Sequence, residues 1–252
     1  MKKRTLVILM MAGALGLAGC KSSSMSVSGM LGAGQSLASA ASLTDDDVRE
    51  LGVRTSEYQD RNHRVAAAGS PQARRLARLT ADWKHIDGID FDYKVYVAPD
   101  VVNAFALPNG SIRFYSGAME AFSDDELRYV IAHEIGHVVL GHSRRRMQTA
   151  YTTSAVRDVA AASGNSVVSA ISSSELGEIG EKMVNATFSR SNENEADDFA
   201  VDFLRERGLN TSGAVTALRK LESMHGNERS VFSSHPAPGD RAKRMETRIA
   251  RN

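Results

Sequence analysis

The pattern of hydrophobic and polar positions divides the chain into three parts. Three basic residues at positions 2–4 precede a mostly apolar, uncharged run at positions 5–17. Positions 21–43 are rich in Ser, Gly and Ala and carry no charge after Lys21, a composition typical of a flexible tether. From Thr44 onwards hydrophobic residues are interspersed with charged ones, which predicts a folded domain over residues 44–252.

Within this domain the pattern predicts mainly helices around a small sheet. β-Forming residues predict strands over 93–97, 103–106 and 111–115, with Pro108-Asn109-Gly110 as the turn between the last two. Helices are predicted over residues 45–68, 71–85, 123–140, 175–187, 192–207, 211–224 and 238–250, and another from near Ser143. Residues 152–174 predict a helical hairpin or a mobile lid. The expected fold class is therefore α+β and mainly helical.

Composition and charge agree with a globular protein and do not favour a nucleic-acid-binding one. Apolar residues make up 42% of the 252 residues, enough for a hydrophobic core. The formal net charge is +1, and removing the three basic residues of positions 1–19 leaves −2. A near-neutral balance gives no support for nucleic-acid binding.

The N-terminal segment has the organisation of a secretory signal peptide, with a basic start, a short apolar run and small residues before a break. Leu17-Ala18-Gly19-Cys20 resembles a bacterial lipobox, which implies cleavage after residue 19 and a lipid on Cys20. The alternative for this lone cysteine is a small buried hydrophobic residue. Because Lys21 and not Asp follows, the resemblance favours the outer membrane, with the domain facing the periplasm.

His133-Glu134-Ile135-Gly136-His137 lies inside the predicted helix that Ser123 caps. Residues i and i+4 share a helix face, so the two imidazoles can bind one metal ion. Glu134 lies beside them and can accept a proton from water. This combination is typical of zinc peptidases, whereas the alternative, an amphipathic helix with incidental histidines, would leave these polar groups costly to bury.

A catalytic zinc site needs a third protein ligand. The position of the third metzincin histidine is Ser143, so that pattern fails. His142 lies about 140° round the helix from His137 and is expected to be structural.

Downstream carboxylates are the remaining candidates for this ligand. Glu193 and Asp197 share one face of a predicted helix, which would allow Glu193 to bind zinc and Asp197 to orient a ligand imidazole. Glu195 lies about 200° from Glu193 and should face elsewhere. The alternative is an ordinary acidic start of a helix.

These motifs resemble those of the HtpX-like metallopeptidases, a family that includes prenyl-protein proteases and periplasmic members. The matching stretches are residues 93–97, 103–106, 110–117, 133–142, 189–198 and 235–241. The resemblance implies a gluzincin fold with one zinc ion per chain, held by His133, His137 and Glu193. It implies that Glu134 is the general base and that Asp197 supports a ligand from behind.

The same resemblance assigns two further features. Asn103, Ala104, Phe105 and Ala106 match an edge strand beside the active-site helix, which can pair with an extended substrate.

His235, followed by Pro236, and Arg241 match a C-terminal motif near the zinc. There His235 would either occupy the fourth zinc position in a resting state or help to stabilise the oxyanion. The alternative is a loop His-Pro with a solvated arginine.

The expected function is a membrane-anchored zinc endopeptidase that acts on misfolded or unassembled envelope proteins. A second hypothesis is a catalytically silent lipoprotein that serves as a chaperone or assembly scaffold, which would not need the intact motif. A third is a structural zinc protein, but such sites mostly use cysteines and this chain has one.

Overall fold

The computed structural model describes residues 43–154, 168, 171–224 and 234–251. The helices and strands confirm the expected α+β, mainly helical fold class. In chain order they are α1 (Asp45–Asn62), α2 (Pro71–Leu79), β1 (His85–Ile86), β2 (Ile89–Asp90), β3 (Asp92–Tyr96), β4 (Ala104–Ala106), β5 (Ser111–Tyr115), α3 (Ser116–Ala121), α4 (Asp124–Val139), α5 (His142–Thr152), α6 (Ser173–Asn185), α7 (Arg190–Glu206), α8 (Gly213–Met224) and α9 (Pro238–Ala250).

The three longer strands form one mixed sheet in the order β3-β5-β4. β3 runs parallel to β5, and β4 runs antiparallel to β5. The predicted turn before β5 depends on Gly110, whose φ of +85° is left-handed and whose absent side chain leaves room for the Asp90 carbonyl. Because β5 lies between β3 and β4, β4 is at one edge of the sheet, and it packs beside α4.

Two predicted helices are shorter than expected. α1 ends at Asn62 and not near Ala68, because the following residues pair with the sheet: Val65 bridges Tyr96 in antiparallel fashion. α2 ends at Leu79 and not near residue 85: residues 80–82 form a turn, in which Trp83 N donates to Thr80 O at 3.0 Å, and the small β1-β2 hairpin follows from residue 85. After α1, strand pairing outweighs the local helical pattern.

The core lies where α4 packs against α7 and α8. Gly136 on α4 makes this close approach possible, since a Cβ there would lie 2.9 Å from Phe199 Cδ1 on α7. A partly buried ion pair joins α1 to the sheet, where Arg113 donates to both carboxylate oxygens of Asp60 at 2.9 and 3.0 Å. The close approach at Gly136 fixes α4, which carries the histidine motif, against α7, which carries the downstream carboxylates.

Some predictions fall outside the described residues. The proposed signal peptide, Cys20 and almost all of the tether do so, and most of residues 152–174 do as well. Within the described parts, no helix has the length and hydrophobicity needed to cross a membrane.

Candidate metal centre

The motif helix α4 begins with a capping box and is buried along most of its length. Ser123 accepts a hydrogen bond from the Glu126 backbone, and the Glu126 carboxylate accepts one from Ser123 N at 2.7 Å. His133, Glu134 and His137 are 4%, 1% and 0% exposed. Buried polar side chains require partners, and those partners come from α7 and from the segment before α9.

Four side chains bring possible ligand atoms together. His133, His137, Glu193 and His235 each offer one atom, and these atoms lie within 4.8 Å of one another. The Nε2 atoms of His133 and His137 are 3.0 Å apart. Glu193 Oε1 lies 3.3 Å from His137 Nε2 and 3.0 Å from His235 Nδ1. All four side chains are buried, so this candidate metal site is shielded from bulk solvent.

The donor set fits a zinc ion. Three imidazoles and one carboxylate are ligands that zinc prefers. In a zinc tetrahedron with bonds of about 2.0–2.1 Å, the ligand atoms lie about 3.3 Å from each other. The separations of 3.0–3.6 Å among the His133, His137 and Glu193 atoms agree with that requirement. The predicted ligands are thus brought together, with His235 as a fourth donor.

The electrostatics of the cluster favour the protonation states that a metal requires. Burial, together with the neighbouring His133 and His235, holds the pKa of His137 well below its usual value, although Glu193 opposes the shift. Burial alone would raise the pKa of Glu193, but His235 and Arg241 outweigh it and hold that pKa well below its usual value. A neutral imidazole and a charged carboxylate are the forms that bind metal ions.

Asp197 contacts the predicted ligand His133 on the side that faces away from the other ligands. Its Oδ1 lies 3.0 Å from His133 Nδ1, the nitrogen that faces away from the other ligands. Tyr129 donates to the same oxygen at 2.6 Å, and Arg241 donates to both carboxylate oxygens at 2.6 and 2.9 Å. Arg241 Nη1 also lies 2.5 Å from Glu193. Tyr129 was not predicted, although its position one helical turn before His133 is a signal that could have found it.

A second contact to a ligand involves His142 and Glu195, two residues that helical facing excludes as ligands. His142 Nδ1 lies 3.0 Å from His137 Nδ1, and its Nε2 lies 3.1 Å from Glu195. Gly141, with a φ of +70°, ends α4 and turns His142 back towards α4. His142 lies outside the cluster of four ligand atoms, and it contacts the second nitrogen of a predicted metal ligand.

Phe188 is a further residue that the sequence did not reveal. Its ring stacks on His137 with centroids 3.8 Å apart and an interplanar angle of 15°. Its backbone N–H donates to Ser234 O at 3.0 Å, next to His235 in the chain. Phe188 therefore shields one side of the cluster and joins two of its segments.

The predicted substrate strand lies beside α4, at the edge of the sheet described above. Asn103 directly precedes β4, is 2% exposed, and accepts a hydrogen bond from Tyr115 N through its backbone oxygen. Phe105 and its two neighbours in β4 pair with β5 on one side. The other side of β4 has no strand partner among the described strands.

Comparisons with known proteins agree with this geometry. The sequence model of peptidase family M48 matches residues 64–249. Metalloprotease LoiP of Escherichia coli strain K12 is 42% identical over 99% of this chain and 98% of its own length. Metalloprotease YcaL of the same strain is 38% identical over 99% of both chains. The beta-barrel assembly-enhancing protease of that strain is 30% identical over 56% of this chain and 31% of its own length.

Proposed function

This chain belongs to peptidase family M48 and is a metalloprotease, and we propose that it uses one zinc ion to cleave misfolded or unassembled proteins of a bacterial cell envelope. The observation that carries the proposal is the buried cluster of four ligand atoms within 4.8 Å beside Glu134. A catalytically silent chaperone or scaffold would not need this arrangement.

His133, His137 and Glu193 hold the zinc ion in this proposal. When bound, zinc polarises the scissile carbonyl and lowers the pKa of a water molecule towards about 7. Asp197 keeps the His133 imidazole oriented, and Arg241 holds both Asp197 and Glu193 in place. Arg241 therefore acts by positioning carboxylates, a role that its described contacts support.

Glu134 is the general base. It is next in sequence to one ligand, and its side chain is 1% exposed, so its carboxylate works in a site from which bulk water is excluded. It accepts a proton from the attacking water and delivers it to the leaving amine of the cleaved peptide.

For His235, the sequence left two roles open. Its Nδ1 faces the ligand atoms, 3.2 Å from His133 Nε2 and 3.0 Å from Glu193 Oε1. Its Nε2 lies 3.3 Å from Glu134 Oε1. This geometry supports the fourth zinc position in a resting state over oxyanion stabilisation.

An extended substrate would pair with the outer edge of β4, over residues 103–106. Main-chain hydrogen bonds to an edge strand select extended chains and impose little side-chain preference. An enzyme for unfolded proteins requires that combination. The name of one relative, beta-barrel assembly-enhancing protease, supports an envelope substrate, since β-barrels that span a membrane are typical of bacterial outer membranes.

The proposed organisation is a signal peptide at residues 1–19, a lipidated Cys20 with a tether to residue 43, and a catalytic domain over 44–252. It would hold the domain on the periplasmic face of the outer membrane. Mass spectrometry of the N-terminal peptide from membrane-extracted protein should find an acylated Cys20. An intact Met1 would refute this part of the proposal.

The test of catalysis compares the full chain with its Glu134→Gln variant, both extracted in detergent, on unfolded casein. Wild type should degrade casein, and the variant should be slower by at least about 10²-fold, the lower end of the contribution of a general base. Metal analysis should find one zinc per chain in both proteins, because the ligands are unchanged. Equal degradation by a zinc-loaded variant would contradict the mechanism, and no degradation by either protein would favour the scaffold hypothesis.

A further inference from the structure

A cavity of about 610 Å³ lies next to the metal centre, between α5, the end of α6 and the start of α7. Three cationic side chains line it: Arg145, Arg146 and Lys182. Among the described residues that line the cavity there is no aspartate or glutamate. Its walls are otherwise apolar or uncharged apart from His142, so the cavity has an electrostatic preference for an anion.

Arg146 differs from the other two cations. Lys182 pairs with Glu178 at 2.8 Å, and Arg145 is exposed to solvent. Arg146 is partly buried; its guanidinium lies over the Phe188 ring, 4.2 Å from the centroid, and donates to Ala186 O. In the described part of the chain, its buried Nε has no hydrogen-bond partner and no carboxylate forms an ion pair with it.

An arginine in this position is favourable to a carboxylate ligand. Burial lowers the pKa of Arg146 to about 10, against the effect of Glu134 and Glu193, so the side chain is still charged at pH 7. A partly buried cation without an anion keeps a desolvation cost that a bound carboxylate would offset. The planar guanidinium also matches a carboxylate in shape and charge.

The cavity is close enough to the metal centre to receive a substrate side chain. Phe188 lies between Arg146 and the predicted ligand His137, with its ring stacked on the imidazole at 3.8 Å. This distance and the 4.2 Å from Arg146 to the Phe188 ring place Arg146 Cζ at most about 8 Å from the centre of the His137 ring. An extended peptide advances about 3.3 Å per residue, so two to three residues span that distance. His142 lines the cavity and contacts Nδ1 of His137, the nitrogen that faces away from the other ligands, so the cavity lies beside His137 on that side.

We propose that this cavity binds an aspartate or glutamate side chain of the substrate, within about three residues of the scissile bond, through Arg146. The inference rests on the proposed peptidase function and gives that function a sequence preference. Backbone pairing with β4 would select extended chains, and the cavity would select among them by charge.

The test uses the detergent-extracted full chain and quenched fluorescent peptides built on a casein sequence that wild type cleaves. Glutamate is placed in turn at each of three positions on either side of the cleaved bond, with a glutamine peptide as its partner. All peptides have amidated C-termini, so that any carboxylate effect comes from a side chain. Salt is kept near 0.1 M, where attraction beyond about 10 Å is screened.

Wild type should prefer glutamate at one of these positions by about tenfold or more in kcat/KM, the effect of one hydrogen bond to a charged group. In Arg146→Gln the ratio at that position should fall to near one, and in Arg146→Glu the glutamine peptide should become the better substrate. Arg144→Gln is the matched control. It removes a charge from the same helix, but Arg144 is exposed and pairs with Asp45, so the ratio should not change.

Two results would overturn the inference. One is an equal kcat/KM for the glutamate and glutamine peptides at every position, which would leave the peptidase function intact. The other is a wild-type preference that persists in Arg146→Gln, which would place its source elsewhere. If Arg146 only anchors Phe188 and Ala186, both peptides should slow equally in the variant and their ratio should not change.

If no peptide is cleaved, the proposed function fails separately, and binding then decides the inference. Fluorescence anisotropy of the same peptides on wild type and on Arg146→Gln measures the ratio of the affinities for the glutamate and glutamine peptides without turnover. An equal affinity of wild type for the glutamate and glutamine peptides would overturn the inference. A carboxylate preference seen only with peptides that have a free C-terminus would also overturn it, because the ligand would then be the chain end.

Discussion

Replacing Arg241 with methionine should destabilise the metal-free protein by about 3–5 kcal/mol, the range typical of removing one partner of a buried ion pair. Arg241 is 5% exposed. It donates to Asp197 at 2.6 and 2.9 Å and lies 2.5 Å from Glu193. Methionine retains much of the apolar stem but no donor, so two buried carboxylates lose the cation that both contact.

The structure indicates the lower part of that range. Asp197 keeps the hydrogen bond from Tyr129 at 2.6 Å and its contact with His133 at 3.0 Å. A loss of about 3 kcal/mol corresponds to a fall in Tm of about 6–12 °C for a domain of this size. The loss should be smaller in metal-loaded protein, because a bound cation would neutralise Glu193.

Urea unfolding of a form lacking residues 1–20, followed by circular dichroism with and without a chelator, measures this effect. Arg244→Met is the matched control, since Arg244 lies on the same helix and pairs with Asp198 in a partly exposed position. That variant should lose no more than about 1 kcal/mol. The reasoning is wrong if the two variants lose the same amount. Adding Asp197→Asn to Arg241→Met should recover part of the loss, because one uncompensated charge is removed.

Three other changes test separate parts of the structure. His142→Ala should weaken metal affinity by about 10–100-fold while the ligand set stays intact, as measured by competition with a chromophoric chelator. Gly136→Ala should cost about 1–3 kcal/mol, because its Cβ would lie 2.9 Å from Phe199. Although burial raises the pKa of Asp60, the hydrogen bond from Arg113 and its other partners outweigh it, so the folded-state pKa lies below the unfolded value. Its stabilisation is present at pH 7 and lost as pH falls through the folded-state pKa, so Asp60→Asn should lower the urea midpoint most at pH 7, and the difference from wild type should shrink progressively as the pH is lowered below the unfolded-state pKa.

The parts of the fold that the sequence predicted correctly depend on local contacts. The capping box at Ser123 and the glycine at position 141 bound α4 within one residue of the prediction. The face shared by His133 and His137 follows from helix geometry alone. Residues 104–106 of the predicted strand 103–106, and all of residues 111–115, form strands, because β-forming residues there flank a turn whose Gly110 has a positive φ.

The errors arose where distant residues compete with the local pattern. Residues after Asn62 have a helical pattern, but the sheet offers them backbone partners: Ala66 N donates to Val95 O at 2.8 Å. The end of the second predicted helix is instead a turn at residues 80–82, which leads into the β1-β2 hairpin. The parallel pairing of β3 with β5 joins segments that are not adjacent in the sequence. No periodicity within one segment contains that information.

Helical geometry excluded His142 and Glu195 from the metal face, and it did so on an assumption that applies within one helix only. An angle of about 140° between His137 and His142 holds if the helix continues, but Gly141 adopts a left-handed conformation and α4 ends before it. The chain then turns, and His142 approaches the nitrogen of His137 that faces away from the other ligands. The same turn brings His142 within 3.1 Å of Glu195, on the side of α7 that the spacing had assigned away from the site. A metal ligand uses one nitrogen and needs the other to be fixed, so a residue excluded as a ligand by helical facing becomes a candidate for that second contact when a glycine interrupts the helix.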